Sequence, residues 1–173
     1  NNVGVGAFRG CRNLKEITFS DGLVEIGNSA FYGCVKLNKI NLPDSITDIG
    51  DNAFVFCDNL KKITLPINLR KISSGLFFEC NNIREVILNN QITEIENNAF
   101  FKCPKLKQIV LPESVEEMGE NVFDGCVNLE NVVLSRITKL KSQCFQNCRK
   151  LRNIELPDSI NFIGPNVFNG CIN

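Results

Sequence analysis

The chain has 173 residues, with 19 Lys+Arg balanced by 19 Asp+Glu, so bulk charge offers no argument for nucleic acid or an anionic membrane. It contains no histidine and no tryptophan, which excludes His-based triads, His general bases and His metal ligands. No apolar run reaches the length of about 18 residues that marks a spanning helix.

The chain opens on a partial unit, Asn2 to Cys11, that matches only the second half of those that follow. Phenylalanine recurs at Phe8, Phe31, Phe54, Phe77, Phe100, Phe123, Phe145 and Phe168. Cysteine follows three residues behind each, at Cys11, Cys34, Cys57, Cys80, Cys103, Cys126, Cys148 and Cys171. The step is 23 residues everywhere except Cys126 to Cys148, where it is 22. A fixed period in this range is the signature of a solenoid of stacked supersecondary units. The expected organisation is one domain over residues 1–173, with seven repeats from Cys11 to Cys171. There is no signal-peptide pattern at Asn1, and both ends fall in mid-repeat without polar caps, so the chain reads as a piece of a longer array.

Each repeat opens with an apolar trio, as in Leu37-Ile40-Leu42, Leu60-Ile63-Leu65 and Leu106-Ile109-Leu111. The last two members stand two apart, which is strand alternation and predicts one short strand per coil in a parallel sheet. Pro43, Pro66, Pro112 and Pro157 follow in four repeats, with Ser20, Asn89 and Ser135 in the others; proline cannot donate to a ladder, so the strand stops. Two apolar residues three apart come next, such as Ile46-Ile49 and Val115-Met118, and read as an extended or turning segment. Gly4, Gly27, Gly50, Gly119 and Gly164 then suggest a corner at positive φ. Ser73, Glu96 and Lys141 interrupt that column. From there to the Cys, as in Asn52 to Cys57, one turn of 3₁₀ or α geometry is expected. The missing residue falls between Leu134 and Ile137, in the turn after the strand. Together these readings give an α/β-type solenoid.

The pattern L-x-x-I-x-L-P-x-x-I-x-x-I-G-x-x-A-F-x-x-C resembles the leucine-rich repeat of BspA-like proteins, cell-surface proteins of bacteria and parasitic protists. The resemblance covers essentially the whole chain. It implies a right-handed array with a concave parallel sheet, a cell-surface or extracellular location, and adhesion or binding of host matrix proteins.

Phe31, Phe54, Phe77, Phe100, Phe123 and Phe145 are expected to form a core spine. Cys34, Cys57, Cys80, Cys103, Cys126 and Cys148 are expected to form a ladder of free thiols: neighbouring coils would bring them roughly 5 Å apart, but parallel Cβ vectors oppose disulfide geometry. Cys144 takes the small-residue column of Ala53 and Ala99, so it is expected in the core. Glu113, Glu116, Glu117 and Glu120 lack the spacing of a calcium loop.

The functional information lies on the strand faces. The column after the first apolar residue runs Lys15, Asn38, Lys61, Arg84, Lys107, Glu130 and Arg152, and the next, which includes Lys62, is mixed. Ile87, Val110 and Val133 form an apolar strip in the column before the last apolar residue. Acidic residues gather on the other side, among them Asp48, Glu94, Glu96, Glu116 and Glu117. The candidate concave face is therefore Lys61, Lys62, Arg84, Ile87, Lys107, Val110 and Val133, suited to a protein, such as a host matrix or plasma protein, or to a glycan. The alternative is a structural spacer without a ligand. No nucleophile–base or carboxylate pair suggests an enzyme, no cofactor is implied, and aromatics that would stack nucleic-acid bases are missing from the strand faces.

Overall fold

The computed structural model describes residues 1–134 and 136–172. Ser135, at the proline position of the short repeat, lies outside them. Strand β1 (Asn2–Val3) is followed in each coil by a three-residue and a two-residue strand. These are β2 (Glu16–Thr18) and β3 (Glu25–Ile26), β4 (Lys39–Asn41) and β5 (Asp48–Ile49), β6 (Lys62–Thr64) and β7 (Lys71–Ile72), and β8 (Glu85–Ile87) and β9 (Glu94–Ile95). They continue as β10 (Gln108–Val110) and β11 (Glu117–Met118), β12 (Asn131–Val133) and β13 (Lys139–Leu140), and β14 (Asn153–Glu155) and β15 (Phe162–Ile163). All strand pairing is parallel, between corresponding residues of successive coils, as in Ile109 with Val132. The one-residue deletion shows in the register: Asn131 pairs with Asn153, a step of 22 rather than 23.

This corrects the α/β expectation. No helix forms among the described residues, and the molecule is a parallel β-solenoid of about seven turns. It also corrects the count of one strand per repeat. The second apolar pair contributes its own short strand, so two ladders run along opposite sides of the coil.

The segment before each Cys is a run of turns, and its hydrogen bonds explain why it does not become a helix. In residues 27–34 the amides of Ala30, Tyr32 and Cys34 bond three residues back, to Gly27, Ser29 and Phe31. The alternate amides of Ser29, Phe31 and Gly33 bond instead to the carbonyls of Asp51, Ala53 and Val55 in the next coil. A helix would claim every amide for itself; here every second one joins coils. The turns place two residues per coil in the left-handed region. One lies two before the Phe (Gly6, Ser29, Asn52, Gly75, Asn98, Asn121, Gln143, Asn166), and one lies just before the Cys (Gly10, Gly33, Phe56, Glu79, Lys102, Gly125, Asn147, Gly170). Asparagine and glycine tolerate this conformation best.

The glycine column is a second correction. Gly27, Gly50, Gly119 and Gly164 do not stand at positive φ. They are needed because successive backbones nearly touch. A Cβ on Gly119 would lie 2.5 Å from the amide nitrogen of Asn97, and one on Gly27 would lie 2.7 Å from that of Val5. The two-residue ladder is interrupted between β5 and β7 and between β11 and β13. The later coil at these places carries Ser73 or Lys141 in the glycine position. Glu96 occupies the same column while β7 and β9 remain paired, so loss of the glycine is not by itself sufficient.

The core is a single apolar column filled by all coils. The rings of Phe31, Phe54, Phe77, Phe100, Phe123 and Phe145 are fully buried. Neighbouring rings stack with centroids 5.1–5.8 Å apart and planes within 18° of parallel. That geometry is an offset stack imposed by the coil spacing.

Candidate binding surfaces

On the three-residue strands the middle residue enters the core and its neighbours face solvent, because successive side chains alternate across a strand. Thr64 pairs with Ile87, and Val110 with Val133. Ile87, Val110 and Val133 are 39%, 70% and 56% exposed, high values for aliphatic side chains. Lys61, Arg84 and Lys107 are exposed in the flanking column and make no ion pair among the described residues. Lys62 differs from them: its Nζ lies 3.1 Å from the carboxylate of Glu85, its registered neighbour on β8. Lys62 and Glu85 are each about half exposed, so the pair contributes little stability, but it lowers the charge that Lys62 offers to a partner.

The ladder of three-residue strands divides into β2–β4, β6–β8 and β10–β12–β14. The gap between β8 and β10 runs under the apolar strip, between Ile87 and Val110. A cleft of about 240 Å³ opens there, bounded by Glu85, Ile87, Asn90, Gln108, Val110 and Pro112. The strip is therefore a notch with aliphatic walls rather than a flat patch.

The opposite side is acidic along its two-residue strands, with Glu25, Asp48, Glu94 and Glu117 in one column. Lys71, Lys139 and Phe162 break that column. The hydrogen bond of Lys71 to Glu96, 3.1 Å long, and that residue's charge hold the lysine's pKa above the ordinary value. Glu116 and Glu117 line a hollow of about 520 Å³ with Arg136, Thr138 and Asp158. Among the described residues no group of three or more Cys, Asp or Glu could hold a metal ion.

All nine thiols are free, and only Cys11 is exposed. The thiols of Cys34, Cys57, Cys80, Cys103, Cys126, Cys148 and Cys171 each donate to the carbonyl of the Phe one coil earlier, at 3.0–3.3 Å. Burial pushes the pKa of Cys34 up to about 11 and those of Cys80 and Cys144 up to about 12. Such thiols are neither nucleophiles nor ligands at neutral pH.

One surface was not anticipated. Tyr32, Phe56, Phe78 and Phe101 line the turn edge, half-buried, in contact from coil to coil. No single column announces them, because Phe56 stands one place later than the other three. A second aromatic residue beside the core Phe in four consecutive units was the available signal.

With this geometry the comparisons agree. The sequence profile of the BspA type leucine-rich repeat region matches six copies, over residues 1–103 and 49–173. The chain belongs to the BspA-type leucine-rich repeat family. It is similar to a leucine-rich cell surface protein from Faecalibacterium prausnitzii A2-165, at 27% identity and a TM-score of 0.77, covering 96% of this chain and 55% of that one. This chain thus spans little more than half of that relative. A leucine-rich repeat protein of T. pallidum is 29% identical with a TM-score of 0.68, covering 99% of this chain and 70% of that one. No curated protein matches in sequence.

Proposed function

We propose that the chain is a protein-binding module of a cell-surface protein, and that the face of its three-residue strands is the contact surface. The observation that carries this reading is the exposed strip of Ile87, Val110 and Val133 beside three cations without partners, Lys61, Arg84 and Lys107. Exposed aliphatic groups in one patch supply affinity when a partner covers them. Cations at the rim steer an acidic partner and make its arrival depend on salt. The family's cell-surface relative supports the location.

The test is binding of the chain to immobilised host matrix and plasma proteins, compared with Val110→Asp and with Lys61, Arg84 and Lys107 all replaced by Ser. Both variants fold, since the side chains point away from the Phe spine. Val110→Asp is expected to abolish binding, and the triple variant to slow association and flatten its salt dependence. Full affinity in both would point to a spacer or to a contact surface elsewhere.

A further inference from the structure

We propose that the turn edge carries a second docking surface, built for an acidic peptide segment of a protein partner that also bears apolar side chains. Tyr32 meets Phe56 edge-on at 5.5 Å, Phe56 meets Phe78 edge-on at 6.4 Å, and Phe78 stacks on Phe101 at 4.7 Å. These rings form a continuous aromatic ribbon across four coils. At its N-terminal end a hollow of about 480 Å³ is bounded by Arg9, Arg12, Tyr32, Val35, Phe56 and Asp58.

The fold does not require this ribbon. The places of Tyr32, Phe78 and Phe101 are taken in later coils by Asp124, Gln146 and Asn169, and those coils close in the same way. Phe56 stands at φ 56°, in a position that Gly10, Gly33, Gly125 and Gly170 fill in four coils and Glu79, Lys102 and Asn147 in three. The turn therefore does not call for an aromatic residue there, and glycine meets its left-handed φ at least cost.

Charge selects the occupant. Arg9 lies over the Tyr32 ring at 4.6 Å, and neither Arg9 nor Arg12 has an ion-pair partner among the described residues. Asp58, the acidic group in the hollow, already accepts from Asn81 at 2.7 Å. At the far end Lys102, over the Phe101 ring, is neutralised by Glu79 at 3.4 Å. Of the cations that touch the ribbon or line its hollow, Arg9 and Arg12 are therefore the ones without an ion pair among the described residues. A bound segment would place carboxylates there, in guanidinium forks, and lay apolar side chains along Phe56, Phe78 and Phe101. An acidic glycan fits less well, because the three phenylalanine rings offer its hydroxyls no hydrogen-bonding partner.

The test is panning a random library of peptides about 12 residues long on the intact chain, then measuring the affinity of synthesised winners by fluorescence anisotropy. The proteins compared are the unaltered chain, Phe56→Gly, Arg9→Glu with Arg12→Glu, and Val110→Asp. Phe56→Gly tolerates the backbone because glycine is native at the equivalent position, and circular dichroism checks its fold. The expected winners combine Asp or Glu with apolar residues and lose about tenfold or more affinity to the Phe56 and Arg variants. They bind Val110→Asp unchanged, which separates this surface from the strand face. Failure to select any peptide, or peptides indifferent to Phe56 and to the arginines, would overturn the proposal. So would a sulfated oligosaccharide as the one probe that responds to those changes.

Discussion

The thiol of Cys80 donates to the main-chain carbonyl of Phe54, 3.0 Å away in the preceding coil. The bond ties the cysteine column to the phenylalanine column. The same carbonyl accepts the Cys57 amide at 3.1 Å, so the thiol occupies its second lone pair, and this bond needs the thiol rather than the thiolate.

Alkylation should follow this pattern. In native protein at neutral pH, iodoacetamide is expected to modify Cys11 rapidly and half-buried Cys171 slowly, leaving the others intact. Mass spectrometry after a short exposure counts the adducts. Rapid modification of Cys80 or Cys103 would show that the ladder opens.

Alkaline pH should destabilise the array. The thiols of Cys34 and Cys80 titrate near 11 and 12 in the folded chain, against 9.0 when unperturbed. A raised folded pKa means that their contribution is fully present below pH 9 and is lost as pH rises from 9 towards 11–12. In that window each such thiol costs about 1.4 kcal/mol per pH unit. Cys80→Ser retains a hydroxyl donor but not the titration, so its denaturation midpoint should fall less steeply from pH 9 to 11. Identical slopes for the two proteins would count against the thiol explanation.

The Phe spine should be strongest in its middle. Phe100 is fully buried and stacks on Phe77 and Phe123 at 5.5 and 5.3 Å, whereas Phe168 is half-buried and stacks on Phe145 at 5.8 Å. Phe100→Ala is expected to cost about 3–5 kcal/mol in urea denaturation, and Phe168→Ala distinctly less.

The glycine column offers a contrast within one residue type. A Cβ on Gly50 would meet the Asn28 amide nitrogen at 2.6 Å, whereas one on Gly4 would meet nothing within 4 Å. Gly50→Ala should destabilise by about 1–3 kcal/mol, the usual cost of overpacking, and Gly4→Ala by well under that. Equal melting temperatures for the two variants would refute the close-approach reading.

What the sequence made legible were features that repeat in one column and have one physical meaning. Phe54 and Cys57 are of this kind: apolar, periodic and buried. Gly50 was not, since glycine serves both positive φ and close packing, and a sequence does not say which. The turns were mistaken for helix because Asn52 and Phe56 carry their left-handed φ invisibly, and nothing marks Phe56 as an outlier until the backbone is known. The second ladder was missed because a strand of two residues, such as Asp48–Ile49, shows no alternation. On the strand face, Val110 was legible from alternation alone. The loss of Lys62 to Glu85 was not, because their meeting depends on register between coils.

The interruptions in the two ladders have a mechanical consequence. Between β4 and β6, and again between β5 and β7 of the same two coils, no ladder pairing spans the joint. Side chains bridge it instead: Asp44 accepts from the Ile67 amide, Asp51 from the Ser74 amide, and Ser73 donates to the Ile49 carbonyl. The continuous main-chain connection there is along the turn edge, from Asn52, Phe54 and Phe56 to Ser74, Leu76 and Phe78. A rod joined along one edge and tacked at the others bends most easily about that edge. Compliance in this solenoid should therefore concentrate at one coil boundary, letting the segments on either side tilt as stiffer units while the aromatic ribbon acts as the hinge line.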